Sequence, residues 1–267
     1  MKKLIDITIG VALLFLLIWN PYPFKILELK FFDGLMSTQE EIQNQTIVLV
    51  DVDEEIIKNV GGYPLPRSLY GTLIERTKSI PGLTVLMPDP DIRDMKNDYI
   101  LGSAMLRIPT VLAYSASTQA TEGGPHVGTA QLGEDPIPWL YDYPGILRQV
   151  PVLAESADGV GVINSAPELD GVVRRVPLVV TSQNKLYPSF ALEMLRVAVD
   201  DPSYQINTQS TGVEWLRIPS YPPIKTDANG RIWITSNVKF YRQSAAEFLR
   251  APMEGAVWVI FGVTAEG

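Results

Sequence analysis

The stretch IVLVDVDEEIIKNVGGYPLPR, Ile47 to Arg67, places four carboxylates, Asp51, Asp53, Glu54 and Glu55, directly after an apolar run. Two aspartates two positions apart behind a strand could run phosphoryl transfer: one carboxylate attacks phosphorus, its neighbour handles the proton, and Mg2+ offsets the charge. A second acidic group, Asp89, Asp91 and Asp94 in MPDPDIRD, follows the apolar run LTVLMP in the same way. If both runs are neighbouring parallel strands, Asp51 and Asp89 meet at the carboxyl rim of a sheet, where open α/β folds bind ligands. Carboxylates gathered there recruit a cation or raise one another's pKa. Arg67, Arg93, Arg174 and Arg175 are the alternative partners, and an ion pair locking strand to loop is the plainer reading of each acid. Asp53, Glu54 and Glu55 also suit the first turn of a helix EEIIKNV, where the dipole favours negative charge.

Other chemistry finds less support. The pattern after Asp53 departs from haloacid-dehalogenase-type phosphatases, which place Thr or Val two positions after the second aspartate, where this chain has Glu55. His126, the one histidine, sits in the polar loop GGPHVG and has no second His to complete a zinc site. There is no Gly-x-Ser-x-Gly nucleophile elbow, and DGVGVIN lacks the third glycine of a dinucleotide fingerprint. In LDGVVRRVPL, Asp170-Gly171 signals a tight turn, and strand alternation sends Arg174 and Arg175 to opposite faces. One of them points inward and needs a carboxylate or an anionic ligand, because an unpaired buried cation is costly. Asp51 or Asp89 is the expected partner. The candidate ligand-binding set is therefore Asp51, Asp53, Arg67, Asp89, Asp91, Arg174 and Arg175, with no catalytic residue, metal or cofactor assigned.

The elements that must position these residues alternate. TIVLVDV is apolar on both alternations, as a strand covered on both faces would be. Ser68 to Lys78 follows as a helix with Leu69, Tyr70, Leu73 and Ile74 on one stripe, then LTVLMP as the next strand, which makes a βαβ unit. Asn97 to Arg107 reads as a helix and Thr110 to Ala116 as a strand. Ser117 to Tyr143 is polar and rich in Gly and Pro and too long for an ordinary connection, a surface excursion or a site-forming loop. Gly171 to Ser189 reads as a hairpin turning at Ser182 to Asn184, and Ser189 to Val199 as a helix capped by Ser189, with Ala191, Leu192, Leu195 and Val199 as its buried stripe. Strands near Glu214 to Ile218 and Arg231 to Thr235, a short helix at Ala245 to Leu249 and a doubly covered strand at Ala256 to Gly262 complete an α/β fold. Its central sheet is mixed, largely parallel and flanked by helices.

The chain has 267 residues, of which 46% are hydrophobic, enough for a packed core. A formal net charge of -8, with no basic run, argues against a nucleic-acid partner. The absence of cysteine removes disulfides and thiolate chemistry. Lys2 and Lys3 precede an almost unbroken apolar run, Leu4 to Trp19, which with its flanks reaches the lower limit of roughly 17 residues for a spanning helix. The run ends in Trp19-Asn20-Pro21 rather than in small residues, so residues 1–22 are expected to be one uncleaved transmembrane anchor, not a signal peptide. The lysines put its short side in the cytoplasm and residues 23–267 outside it, as one domain held at the cell membrane. Phe24 to Leu35 resumes as a juxtamembrane helix after Pro21 and Pro23.

Four stretches carry a family resemblance: IVLVDVDEE with GGYPLPRSLYGTLIE (Ile47 to Glu75), ELDGVVRRVPL (Glu168 to Leu178), YPSFALEMLR (Tyr187 to Arg196) and VIFGVTAEG (Val259 to Gly267). In their order and spacing the chain resembles the second type of CHASE domain, the cyclase and histidine-kinase associated sensory extracellular module. The resemblance implies a non-enzymatic, periplasmic or extracellular sensor of a small ligand or ion, held by an N-terminal helix. It further implies control of a cytoplasmic kinase, adenylate cyclase or diguanylate cyclase, and homodimerisation. The output parts do not lie within these residues, and Gly267 falls where such a receptor would re-enter the membrane. Two departures stand out: Tyr63 and Leu65 replace the aromatics of a Trp-Pro-Trp-Pro-Arg-like run, and MPDPDIRD lacks the usual apolar pair and Phe after its aspartate. A membrane-tethered, Mg-dependent phosphohydrolase using Asp51 and Asp53, and a purely structural dimerisation module, are the rival readings.

Overall fold

The β-branched run ending at Asp51 forms a strand in the interior of a sheet, with parallel partners on both sides. The computed structural model describes residues 10, 15, 22–88, 95–121, 124, 127–235 and 237–262. Its first half comprises α1 (Tyr22–Met36), β1 (Ile42–Asp51), α2 (Glu54–Val60), α3 (Arg67–Arg76), β2 (Ile80–Leu83), α4 (Met95–Met105), β3 (Val111–Ser117), β4 (Thr129–Gly133), β5 (Gly145–Leu147), α5 (Pro151–Ala154) and β6 (Gly159–Val162). The second half comprises β7 (Arg175–Pro177), β8 (Val179–Ser182), β9 (Lys185–Pro188), α6 (Phe190–Ala198), β10 (Tyr204–Gln209), β11 (Gly212–Arg217), β12 (Ile224–Lys225), β13 (Arg231–Trp233), β14 (Val238–Ser244), α7 (Ala245–Arg250) and β15 (Trp258–Gly262).

The main sheet runs β14-β1-β15-β2-β3, all parallel. Beyond it, β3 pairs with β6 in parallel over Val111–Tyr114 and with β5 in antiparallel over Ser115–Ser117. The sheet is mixed and largely parallel, as its sequence predicts. The insertion of β15 between β1 and β2 corrects one expectation: the chain returns from its far end to fill that slot, so Asp51 and the segment after β2 do not end neighbouring strands.

Alternation along the strands separates two cores. Val48, Val50, Leu112, Tyr114, Val259 and Phe261 meet Tyr70, Leu73 and Ile74 of α3, Leu101 and Met105 of α4 and Phe248 of α7. The intervening residues Val111 and Ala113 meet Phe190 and Met194 of α6. Each such aliphatic or aromatic side chain contributes about 1.5–3 kcal/mol on full burial. Because α6 lies over β2, β3 and β6, it does not shield the far side of β1. Leu49 is consequently half-buried while Val48 and Val50 are buried, so β1 is fully covered on one face rather than two.

A second sheet, β12-β11-β10-β4, encloses a smaller core around Tyr204, Ile206, Val213 and Leu216, joined by Leu178, Val179 and Leu186. β4 comes from the Ser117 to Tyr143 excursion, which therefore supplies a parallel edge strand instead of remaining a surface loop. Hairpin β8–β9 turns through Gln183 and Asn184, both with positive φ, as the sequence predicts. Ser189 caps α6 by accepting from Leu192 N at 3.2 Å. The stripe of α6 differs from expectation: Leu192 is buried, but Ala191 is exposed and Leu195 and Val199 are only half-buried. Glu193 and Arg196 are buried in their place. Their two hydrogen bonds, 2.8 and 3.0 Å, satisfy each other, and Arg196 also donates to the carbonyls of Asp201 and Asp158.

Among the described residues no helix is long and apolar enough to cross a membrane. The anchor expected at residues 1–22 lies, but for Gly10, Phe15 and Tyr22, outside the described residues.

Candidate functional site

The opening acids are divided among separate structural tasks. Asp51, at the end of β1, accepts from Arg242 of the adjacent strand β14 through Nε at 3.0 Å and Nη2 at 3.2 Å. Asp53 is the N-cap of α2, its Oδ1 accepting from Ile56 N at 3.1 Å. Glu54 pairs with Lys58 one turn on, and Glu55 with Arg250 of α7, both at the exposed surface. Among the described residues no three His, Cys, Asp or Glu side chains converge as metal ligands. Asp51 thus sits in an ion pair and Asp53 caps a helix. Asp89, Asp91, Arg93, Asp94 and His126 lie outside the described residues.

The expected pairing of Asp51 with Arg67, Arg174 or Arg175 is corrected, because each arginine has a nearer carboxylate. Arg67, the first residue of α3, binds Asp98 of α4 through Nη1, and Asp98 is only 3% exposed. Arg174 is the inward-pointing arginine, its side chain 5% exposed. It grips Asp33 of α1 through Nε and Nη2, both at 2.6 Å, and Asp170 through Nη1 and Nη2 at 2.8 and 2.7 Å. These bonds hold the carboxyls of Asp33 and Asp170 below the usual range, Asp170 at about 2. Arg175 points elsewhere, as alternation predicts. It donates to Glu168 at 2.7 and 2.9 Å and to Asp227 at 3.0 Å, and lies 4.9 Å from the Trp233 ring centre.

Trp233 also stacks on Phe32 of α1, with ring centres 4.5 Å apart. Arg231 extends the network from Asp227 to the Tyr141 hydroxyl. The Arg174 and Trp233 contacts form a joint that fastens α1 to the domain. Sequence reasoning missed its acids, Asp33, Glu168 and Asp227, because they are scattered along the chain. The available signal was the buried arginine expected in DGVVRR, together with the helix preceding it.

A cleft of about 370 Å³ opens just beyond the carboxyl end of β2, lined by Tyr63 to Arg67 on one side, Val85 to Pro88 on the other, and Tyr70. The GGYPLPR loop can turn here because Gly61 and Gly62 adopt φ of 88° and 138°. The opposite wall is pinned by Gln149, 1% exposed, which accepts from Met87 N at 2.6 Å and donates to Val85 O and Ala113 O. Val150 N adds a bond to Met87 O. The segment LTVLMP is therefore mostly a clamped extension rather than a strand, with β2 ending at Leu83. Among the described residues of the predicted site set, Arg67 lines this cleft and Asp51, Asp53, Arg174 and Arg175 do not.

A family model, the CHASE2 domain, matches residues 9–267. No curated protein matches the chain, and no solved structure does.

Proposed function

The chain belongs to the CHASE2 family, whose members are extracytoplasmic sensory domains, and from that premise we propose that it is the input part of a membrane-bound receptor. In this reading residues 1–22 anchor the chain in the cell membrane, the domain of residues 23–267 lies outside the cytoplasm, and the output is a cytoplasmic kinase or nucleotide cyclase. The domain recognises a small ligand or ion and carries out no reaction itself.

The observation that supports the reading is the joint. The helix α1 follows the apolar N-terminal run, and Asp33 and Phe32 fix it to Arg174 and Trp233 of the domain. A change of state in the domain would reach such a helix through a defined contact, provided the ligand binds the two states with different affinity. Homodimerisation belongs to the same proposal. Phe24, Leu27, Phe31 and Leu35 are exposed along α1 at spacings of three and four residues, which suits a seam between two parallel copies.

A reporter fused after Gly267 should behave as external to the cytoplasm; activity of a cytoplasm-only reporter there would contradict the proposal.

A further inference from the structure

The main sheet ends on one side in β14, whose seven residues pair with β1 along one edge. Its middle, Lys239 to Arg242, is exposed. A free strand edge is a template for another strand, and folded proteins ordinarily guard it with outward charge, a proline or a bulge. β14 is not guarded in these ways. It contains no proline, and the bulge in its pairing lies in β1, between Asn44 and Val48, so β14 itself runs unbroken. Its two cations are turned back onto their own chain, Lys239 to Glu41 at 2.7 Å and Arg242 to Asp51 at 3.0 Å. What the edge offers at its centre is aromatic: Phe240 is 39% and Tyr241 48% exposed, on opposite faces of the strand.

The order of residues along β14 selects the occupant. Two antiparallel strands related by a twofold axis set one residue opposite its own copy, and residues equally distant from it opposite one another. The midpoint of β14 is Tyr241. With the axis there, Tyr241 meets Tyr241 of the second copy, Phe240 meets Arg242, Lys239 meets Gln243 and Val238 meets Ser244. All seven residues then pair, and no two like charges are opposed. An aromatic pair at the centre and a ring beside a guanidinium on either side are favourable cross-strand neighbours. Other registers are poorer: an axis at Arg242 opposes that cation to itself, and one at Phe240 sets Val238 against Arg242 and leaves the last two residues unpaired. We propose that β14 is an interface between two copies of this chain, joined antiparallel edge to edge about Tyr241 so that their main sheets run on as one.

The interface goes beyond the sensory reading and does not depend on the side of the membrane or on the α1 seam: copies held through α1 alone would form no link at position 241. Because the chain has no cysteine, single replacements report contacts between copies of the detergent-solubilised full chain under mild oxidation. Facing residues of an antiparallel pair have Cα atoms about 4.5–5.5 Å apart, within reach of a disulfide. Tyr241→Cys should therefore give a disulfide-linked dimer at least tenfold faster than Ser210→Cys, an exposed control beside β10. Lys239→Cys alone should link no faster than that control, whereas Lys239→Cys/Gln243→Cys should link as Tyr241→Cys does. Adding Phe240→Lys, which opposes a lysine to Arg242, should slow the Tyr241→Cys link at least fivefold and leave the circular dichroism spectrum unchanged. A Tyr241→Cys link no faster than the control, a Lys239→Cys link as fast as that of Tyr241→Cys, failure of the paired cysteines to link, or indifference to Phe240→Lys would overturn the proposal. So would protection of Tyr241→Cys from maleimide in membranes without the disulfide, which would assign the edge to a different partner.

Discussion

At the residue scale the chain uses its charges in pairs, and the pairs differ in what they hold. Glu193 is fully buried and, among the described residues, Arg196 is its cationic partner, so removing the arginine strands a carboxylate in the interior. Arg196→Ala should cost about 3–5 kcal/mol, read from urea unfolding. The carboxylates of the joint give a pH signature. Asp33, Asp170 and Glu168 are held low by hydrogen bonds from Arg174 and Arg175. A folded pKa below the unfolded value of about 4 means their contribution is complete above that pH and is lost as pH falls toward about 2. Glu193, raised by burial, acts in the opposite sense as pH rises. Comparing the wild type with Asp170→Asn/Glu168→Gln isolates the joint: the stability difference should be present at pH 7 and shrink between pH ~4 and ~2. A difference independent of pH would remove the ionic account.

At the scale of elements, close approach decides what the helices can do. A Cβ at Gly161 of β6 would lie 2.5 Å from Phe190 Cα and 2.6 Å from its nitrogen, backbone that cannot swing aside. Gly161→Ala should therefore push the start of α6 off the sheet and cost about 1–3 kcal/mol or more, with the amides of α6 losing hydrogen-exchange protection first. Unchanged exchange in α6 would show that the helix is not seated through that contact. Much at this scale was legible in the sequence. The apolar period marked α3, α4, α7 and β3, Ser189 announced α6, and alternation separated Arg174 from Arg175. What was not legible is long-range placement. Nothing local to LTVLMP tells that β15 will occupy the slot beside β2. Nothing in the apolar stripe of α6 shows that Glu193 and Arg196 satisfy each other inside. Carboxylates also choose partners by fold: Asp51 lies beside Arg242, 191 residues away along the chain, and the far wall of the cleft is fixed by Gln149, 62 residues beyond Met87.

At the scale of the whole molecule, the account joins three regions: a cleft at the rim of the main sheet, a joint of buried arginine and aromatic contacts, and the helix that leads to the N-terminal apolar run. If the joint is the mechanical link, Arg174→Met should release α1 while leaving the cleft intact. In hydrogen exchange, α1 should gain exchange more than tenfold, while the amides of β2 and β3 beside the cleft keep their protection. Equal protection of α1 in the variant would show that Asp33 and Phe32 contribute nothing to holding it. Central to the account is that the domain faces away from the cytoplasm. The chain has no cysteine, so one introduced at an exposed position such as Ser210, beside β10, is the sole target for a membrane-impermeant maleimide. In spheroplasts expressing the full chain, Ser210→Cys should be labelled fully before permeabilisation; labelling that appears only after the membrane is opened would contradict the account.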